Sequence, residues 1–160
     1  SDNTAANLAL DAIGGARTFT AFMRSIGDDK TRLDRREPEL NEATPGDARD
    51  TTTPIAAARS LQTLLLDGVL SAPARNELTQ WMLGDQVADA LLRAGLPRDW
   101  QIADKSGAGG HGSRSIIAVV WPPKRSAVIV AIYITQTAAS MSASNQAVSR
   151  IGSALAKALQ

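Results

Sequence analysis

The chain has no cysteine and a single histidine among its 160 residues. Without thiols there is neither a disulfide framework nor a thiolate metal site. The one imidazole, His111, lies in a glycine-rich turn with no second ligand at metal spacing, so neither a metal nor a cofactor is expected. Charge of one sign is also missing. Seventeen Lys and Arg against sixteen Asp and Glu leave +1, and the basic residues are spread along the chain. No polybasic face for nucleic acid or anionic membrane follows from that pattern. No run approaches the ~20 apolar residues of a membrane span. The first residues lack the basic-then-apolar pattern of an export signal, so any such signal is expected upstream. What remains is 44% hydrophobic and 21% charged residues in 16.8 kDa, the composition of a globular chain able to bury a core.

Hydrophobic period organises the chain. Residues 3–13 read as a short helix capped by Ser1, Asp2 or Asn3 and closed by Gly14 and Gly15. A second helix follows at 17–26, with Phe19, Phe22, Met23 and Ile26 on its apolar face. "TRLDRREPELNEATPGDARD", residues 31–50, has neither helical nor strand period and carries ten charges, which reads as a long loop able to tie its own ends. "TTTP" supplies a threonine cap and a proline for a helix over 54–67, with Ile55, Ala58, Leu61 and Leu65 facing the core. Ser71 starts another helix to about Met82, and "VADALLRAG" makes a last turn or two before Gly95.

After Pro97 the residues become β-branched. "WQIADKSG", "SRSIIAVVW" and "SAVIVAIYIT" read as three strands, the third apolar on both faces and so expected to be covered by helices on two sides. "MSASNQAVSRIGSALAKALQ" is a final amphipathic helix with Val148, Ile151, Leu155 and Leu159 at helical spacing. Helices, an antiparallel meander and a closing helix make an α+β fold.

Three polar clusters stand out: "SDN" at 1–3, "REPELN" at 36–41 and "DKSGAGG" at 104–110, followed by Arg114. Each has an ordinary explanation alone, as a helix cap, a solvated loop or a strand end. In this order and spacing they resemble the class A serine β-lactamases, whose S-D-N and lysine-containing K-T-G-type elements have the same arrangement. The resemblance extends over the whole chain through "SDNTAANL", "GDDKTRLDRREPELNEATPGDARDTTTP", "WQIADKSGAGGHGSRSIIAVVWP" and "IYITQTAASM".

The resemblance implies a three-layer α/β/α arrangement with an antiparallel sheet plus a helical subdomain, incomplete on the N-terminal side. Residues 1–96 would be the helical subdomain with an Ω-loop at 31–50, and 97–160 three strands and the C-terminal helix. It implies β-lactam hydrolysis through a serine acyl-enzyme, in a periplasmic or secreted location. Ser1 would relay a proton to the leaving nitrogen, polarised by Lys105. Glu37 would activate the deacylating water, with Asn41 fixing that water and a cis bond joining Glu37 to Pro38. Ala108 would donate an oxyanion-hole N–H, while Gly107 and Gly109 let substrate approach the strand. Ser106 and Arg114 would bind the substrate carboxylate, with Asn145 supporting Arg114. Asn3 would bond the substrate's side-chain amide, Asp2 would hold the SDN turn, and Arg35 with Asp50 would close the Ω-loop. Arg36 stands where many relatives have tryptophan, and Gly110 where many have glutamate.

One family element is missing. The nucleophile is a Ser-x-x-Lys on a helix, yet the lysines at 30, 105, 124 and 157 are preceded three residues earlier by Gly27, Ile102, Trp121 and Ala154. The expected partners are therefore β-lactam small molecules and a nucleophile-bearing N-terminal portion of the same enzyme, as a second chain or a segment outside these residues. Two alternatives stay open at this point. One is a non-catalytic β-lactam or inhibitor-binding fragment. The other is an N-terminal-nucleophile hydrolase that uses Ser1 with its own α-amine. A transpeptidase shares the serine and KSG logic, but Glu37 with Asn41 argues for hydrolysis.

Overall fold

The structure, a computed structural model, describes residues 1–159. Two short helices, α1 (Asn3–Ala12) and α2 (Ala16–Ser25), precede the long loop. Asp2 caps α1 in extended conformation, its carboxylate accepting the Ala5 N–H at 2.7 Å. The helix stops because Gly14 and Gly15 take positive φ and return their N–H groups to Asp11 and Leu10. Residues 31–50 contain only a 3-10 turn at Glu39–Asn41. Helix α3 (Pro54–Leu65) starts at the Thr53 cap with proline in its first turn, and α4 (Ala72–Leu83) starts at Ser71.

Strands β1 (Gln101–Gly109), β2 (Ser113–Trp121) and β3 (Val128–Ile134) form one antiparallel sheet in that order. Period-2 alternation divides their side chains between two cores. Ile102, Ile116, Ala118 and Val120 meet Leu91, Leu92 and Val148 on one face. Ala103 and Val119 meet Leu61, Leu65 and Met82 on the other. The sheet thus lies between α5 (Met141–Leu159), with the irregular helical stretch Asp89–Arg93, and the α3–α4 pair. This is the mixed α+β, layered arrangement that the sequence implies. Among the described residues no helix is long and apolar enough to cross a membrane.

As its composition implies, β3 is covered on both faces, with Val130, Ile132 and Ile134 packed toward one core and Ile129 toward the other, and it is partly buried apart from exposed Tyr133. Two details differ from the sequence reading. Ile55 is 60% exposed, and α3 buries Ala56, Leu61 and Leu65 instead. In α5 the covered stripe is Ser144, Val148, Gly152 and Ala156, while Ile151 is exposed. Small residues occupy that stripe because backbones come close there: a Cβ on Gly152 would sit 2.8 Å from the Leu92 carbonyl oxygen.

Asp28, just after α2, ties the start of the long loop to α3. Its carboxylate accepts the Lys30 and Thr31 N–H groups at 2.9 and 2.8 Å and the Thr31 and Ser60 hydroxyls at 2.5 and 2.7 Å. Burial opposes its ionisation, but these bonds outweigh burial and hold its pKa at about 2, below the ordinary 3.8. A depressed folded-state value stabilises the fold above the unfolded value, and the gain disappears as pH falls through about 2. The shift corresponds to roughly 2 kcal/mol at neutral pH. Asp28→Asn is therefore expected to lower stability by about that amount at pH 7 and by roughly half as much at pH 3. Urea unfolding of the protein at the two pH values measures it, and an equal loss at both contradicts the assignment.

Candidate active site

Ser1 directly precedes Asp2, the N-cap of α1. Its hydroxyl accepts a hydrogen bond of 2.8 Å from the Lys105 ammonium, which also donates to the Ser106 carbonyl at 2.8 Å. Residues 104 positions apart therefore meet across a cleft between the helical part and β1. The Asp85 carboxylate, buried after α4, lies 4.0 Å from the same ammonium. One Asp85 oxygen accepts the Val87 N–H at 2.5 Å, and the other, Oδ2, has no hydrogen-bond partner.

On the opposite face of β1, Asp104 is fully buried and receives the forked guanidinium of Arg93, Nη2 at 2.6 Å and Nε at 3.1 Å. Burial pushes the Asp104 carboxyl up, against the downward pull of Arg93. Arg93 also donates to the Met82, Leu83 and Ile102 carbonyls. Strand alternation then points Lys105 into the cleft while its neighbour is fixed behind it.

The long loop is closed at its ends. Asp50 accepts the Asp34 and Arg35 N–H groups at 2.7 and 2.9 Å and the Arg35 side chain at 2.5 Å, and the Asp50 N–H returns to Asp34 at 3.0 Å. Inside the loop the Glu37–Pro38 bond is cis, and the Asn41 amide donates to the Glu37 carboxylate. The Glu37 backbone is gripped by Asn7 of α1, which accepts its N–H at 3.0 Å and donates to its carbonyl at 2.9 Å. On the other side the Gly110 N–H bonds the Asn41 carbonyl at 2.8 Å. A Cβ on Gly109 would meet that oxygen at 2.7 Å, so glycine is required for the approach.

Arg114, opposite Ala108 in the β-ladder, is buried and bonds Asn145 of α5 at 2.9 Å and the Gly107 carbonyl at 3.0 Å. No carboxylate pairs with it among the described salt bridges, and burial holds its pKa down from the usual guanidinium value. β1 pairs on one side only. The edge from Lys105 to Gly109 is open, with a cation at one end and a guanidinium near the other.

A model of the β-lactamase enzyme family matches residues 1–159. The chain belongs to the class A β-lactamases. It is 69% identical over 152 residues to β-lactamase AER-1 of Aeromonas hydrophila, covering 95% of this chain and 50% of that protein. It is 54% identical to β-lactamase CARB-3 of Pseudomonas aeruginosa over 95% of this chain and 53% of that one. An ancestral class A β-lactamase structure superposes with a TM-score of 0.96 at 52% identity, over 98% of this chain and 60% of that one. The chromosome-encoded β-lactamase of Vibrio parahaemolyticus superposes at 0.95 and 49%, over 99% and 60%. The chain spans about half the length of the curated relatives it matches.

Of the residues singled out in the sequence, the structure joins Ser1 to Lys105, Glu37 to Asn41, Arg114 to Asn145 and Gly107, and Arg35 to Asp50. Asn3 is exposed in the first turn of α1, and Ser106, Ala108 and Gly109 follow Lys105 along the open strand. No direct hydrogen bond is present between the Ser1–Lys105 pair and the Glu37–Asn41 pair among the bonds described; α1 connects them through Asn7. Sequence reasoning missed Asn7, Asp85 and Arg93. Asn7 carried a signal, since it lies four residues after Asn3 on the same helix face. Asp85 and Arg93 carried none.

Proposed function

We propose that this chain is the portion of a serine β-lactamase that binds the substrate carboxylate, relays the proton to the leaving nitrogen and activates the deacylating water. The 2.8 Å bond from Lys105 to Ser1 carries the reading, because it places a polarised hydroxyl at the open β1 edge. There Ser1 hands its proton to the β-lactam nitrogen as the ring opens and Lys105 favours the transient alkoxide. The Ala108 N–H faces the developing oxyanion, with Gly107 and Gly109 leaving room for the acyl group. Arg114, supported by Asn145, and Ser106 take the carboxylate, for which a buried guanidinium without an acidic partner is suited. Asn3 bonds the substrate amide, and Asp2 holds Ser1 and Asn3 in place. Glu37, with Asn41, draws the proton from water to hydrolyse the acyl-enzyme, inside an Ω-loop closed by Arg35 and Asp50.

The nucleophile comes from a Ser-x-x-Lys segment outside residues 1–160. Its seat is the cavity of about 700 Å³ beside Ser1 and Lys105, lined by Leu61, Leu64, Leu78, Trp81 and Val87. Exposed Trp81 and Val87 and the Asp85 oxygen that has no hydrogen bond are the features such a segment covers. Residues 1–96 and 97–160 act as the two walls of the cleft, and the assembled enzyme works in the periplasm or outside the cell. An N-terminal-nucleophile hydrolase is disfavoured, because helix rather than strand follows Ser1 and the hydroxyl faces Lys105.

Reconstitution tests the proposal. The chain alone should leave a chromogenic cephalosporin intact, and the chain with a Ser-x-x-Lys-bearing segment should hydrolyse it. Turnover by the lone 16.8 kDa monomer, abolished by acetylating the α-amine, would overturn it.

A further inference from the structure

Asn3, Asn7 and Asp11 follow one another at intervals of four along α1 and so share one face of the helix. Asn7 holds the Glu37 backbone from both sides. One turn further on, Asp11 holds the side chain of Arg36, the residue immediately before Glu37. The two guanidinium nitrogens reach the two carboxylate oxygens at 2.5 and 2.9 Å. This forked geometry fixes the direction of the arginine as well as its distance. Asp11 lies in the last turn of α1, where the helix dipole disfavours a carboxylate, so the site is unfavourable for an acid without a cation beside it. The Arg36 guanidinium holds the Asp11 carboxyl below the usual range.

We propose that Asp11 and Arg36 form a second clamp that, with Asn7, sets the position of Glu37 relative to the Ser1–Asn3 end of the same helix. Both are positioning residues, and the proposal rests on reading Glu37 as the deacylation base. α1 then serves as a ruler. Its N-terminal end presents Asn3, and Ser1 ahead of the Asp2 cap, to the cleft, its middle fixes the Glu37 peptide, and its last turn fixes the side chain that precedes it. The 3-10 turn that carries Asn41 is continuous with the clamp, because the Leu40 N–H bonds the Arg36 carbonyl at 2.9 Å. Freeing Arg36 therefore loosens the turn that holds both Glu37 and Asn41. Asp50 anchors the two ends of the loop to each other, whereas the Asp11–Arg36 pair anchors its catalytic segment to another element.

The test uses the assembled enzyme in four forms: Asp11→Asn, Arg36→Ala, the swap Asp11→Arg with Arg36→Asp, and Glu37→Gln as control. Amide exchange at Leu40 and Asn41 is read together with acylation and deacylation rates for one penicillin. Each single variant should speed exchange and slow deacylation about fivefold with acylation little changed, the scale of a half-exposed ion pair. The swap should restore both readouts to within about twofold of the parent, because it rebuilds the pair with a cation at the helix C-terminus. Unchanged exchange in both single variants, or a swap as impaired as they are, overturns the clamp. Faster exchange with unchanged deacylation overturns the positioning role. If Glu37→Gln itself accumulates no acyl-enzyme, the reading of Glu37 has failed, and the exchange data alone then decide whether the clamp holds the loop.

Discussion

Glu37→Gln in the assembled enzyme is expected to leave penicillin covalently attached to the protein. The glutamine side chain keeps the length of glutamate and can still accept the Asn41 amide, so the loop and its cis Glu37–Pro38 bond have no reason to move. What disappears is the basic carboxylate. Water then attacks the acyl ester unassisted, and loss of a positioned general base costs about 10²–10⁴ in rate. The acyl-enzyme should dominate the steady state, visible as a mass increase equal to the whole penicillin, since ring opening expels no fragment. A turnover rate within a few-fold of the parent would show that another group activates the water.

Arg93→Ala should be the most destabilising single change away from the cleft. Asp104 is fully buried, and Arg93 is its charged partner as well as a donor to the Met82 and Leu83 carbonyls at the end of α4. Truncating the arginine strands a carboxylate inside the sheet–helix layer and frees those carbonyls. Breaking a buried pair in this way costs about 3–5 kcal/mol, a large part of a domain's stability. Replacing both partners, Arg93→Met with Asp104→Leu, should recover most of that loss, because the penalty belongs to the unpaired charge. Urea unfolding of the single and double variants separates the two effects. A loss under about 1 kcal/mol for Arg93→Ala would mean that water reaches Asp104.

The sequence carried the elements whose signals are local. Asp2, and Thr53 and Ser71 with a proline in the turn that follows, start helices where a side-chain oxygen caps free N–H groups. The aperiodic, charge-rich segment at 31–50 is a loop because its acids and arginines bond each other and its own backbone. The errors arose where burial depends on what lies opposite. Ile151 sits at helical spacing with apolar neighbours, yet small residues face the core beside it, because close backbone approach at Gly152 leaves no room for larger ones, while Ile55 lies exposed at the start of α3, off its buried stripe of Ala56, Ser60, Leu61 and Leu65. The apolar composition of β3 did report its surroundings, since its alternate residues meet the two cores on opposite faces of the sheet.

The candidate site was legible to the extent that motifs encode it. Ser1, Lys105, Glu37, Asn41 and Arg114 sit in short segments of recognisable spacing, and the structure brings them into the expected pairs. The residues that hold those pairs in register were not legible. Asn7 acts through the backbone of a residue 30 positions away, and Asp85 and Arg93 act across layers, so no local pattern announces them.

The most direct test of the proposed chemistry is where the acyl group sits in the Glu37→Gln enzyme. Proteolysis and peptide mass analysis after exposure to penicillin should place the adduct on the serine of the complementing Ser-x-x-Lys segment and leave the peptide beginning at Ser1 unmodified. An adduct on Ser1 would contradict the account, since Ser1 would then be the nucleophile and its bond to Lys105 the means of activating it.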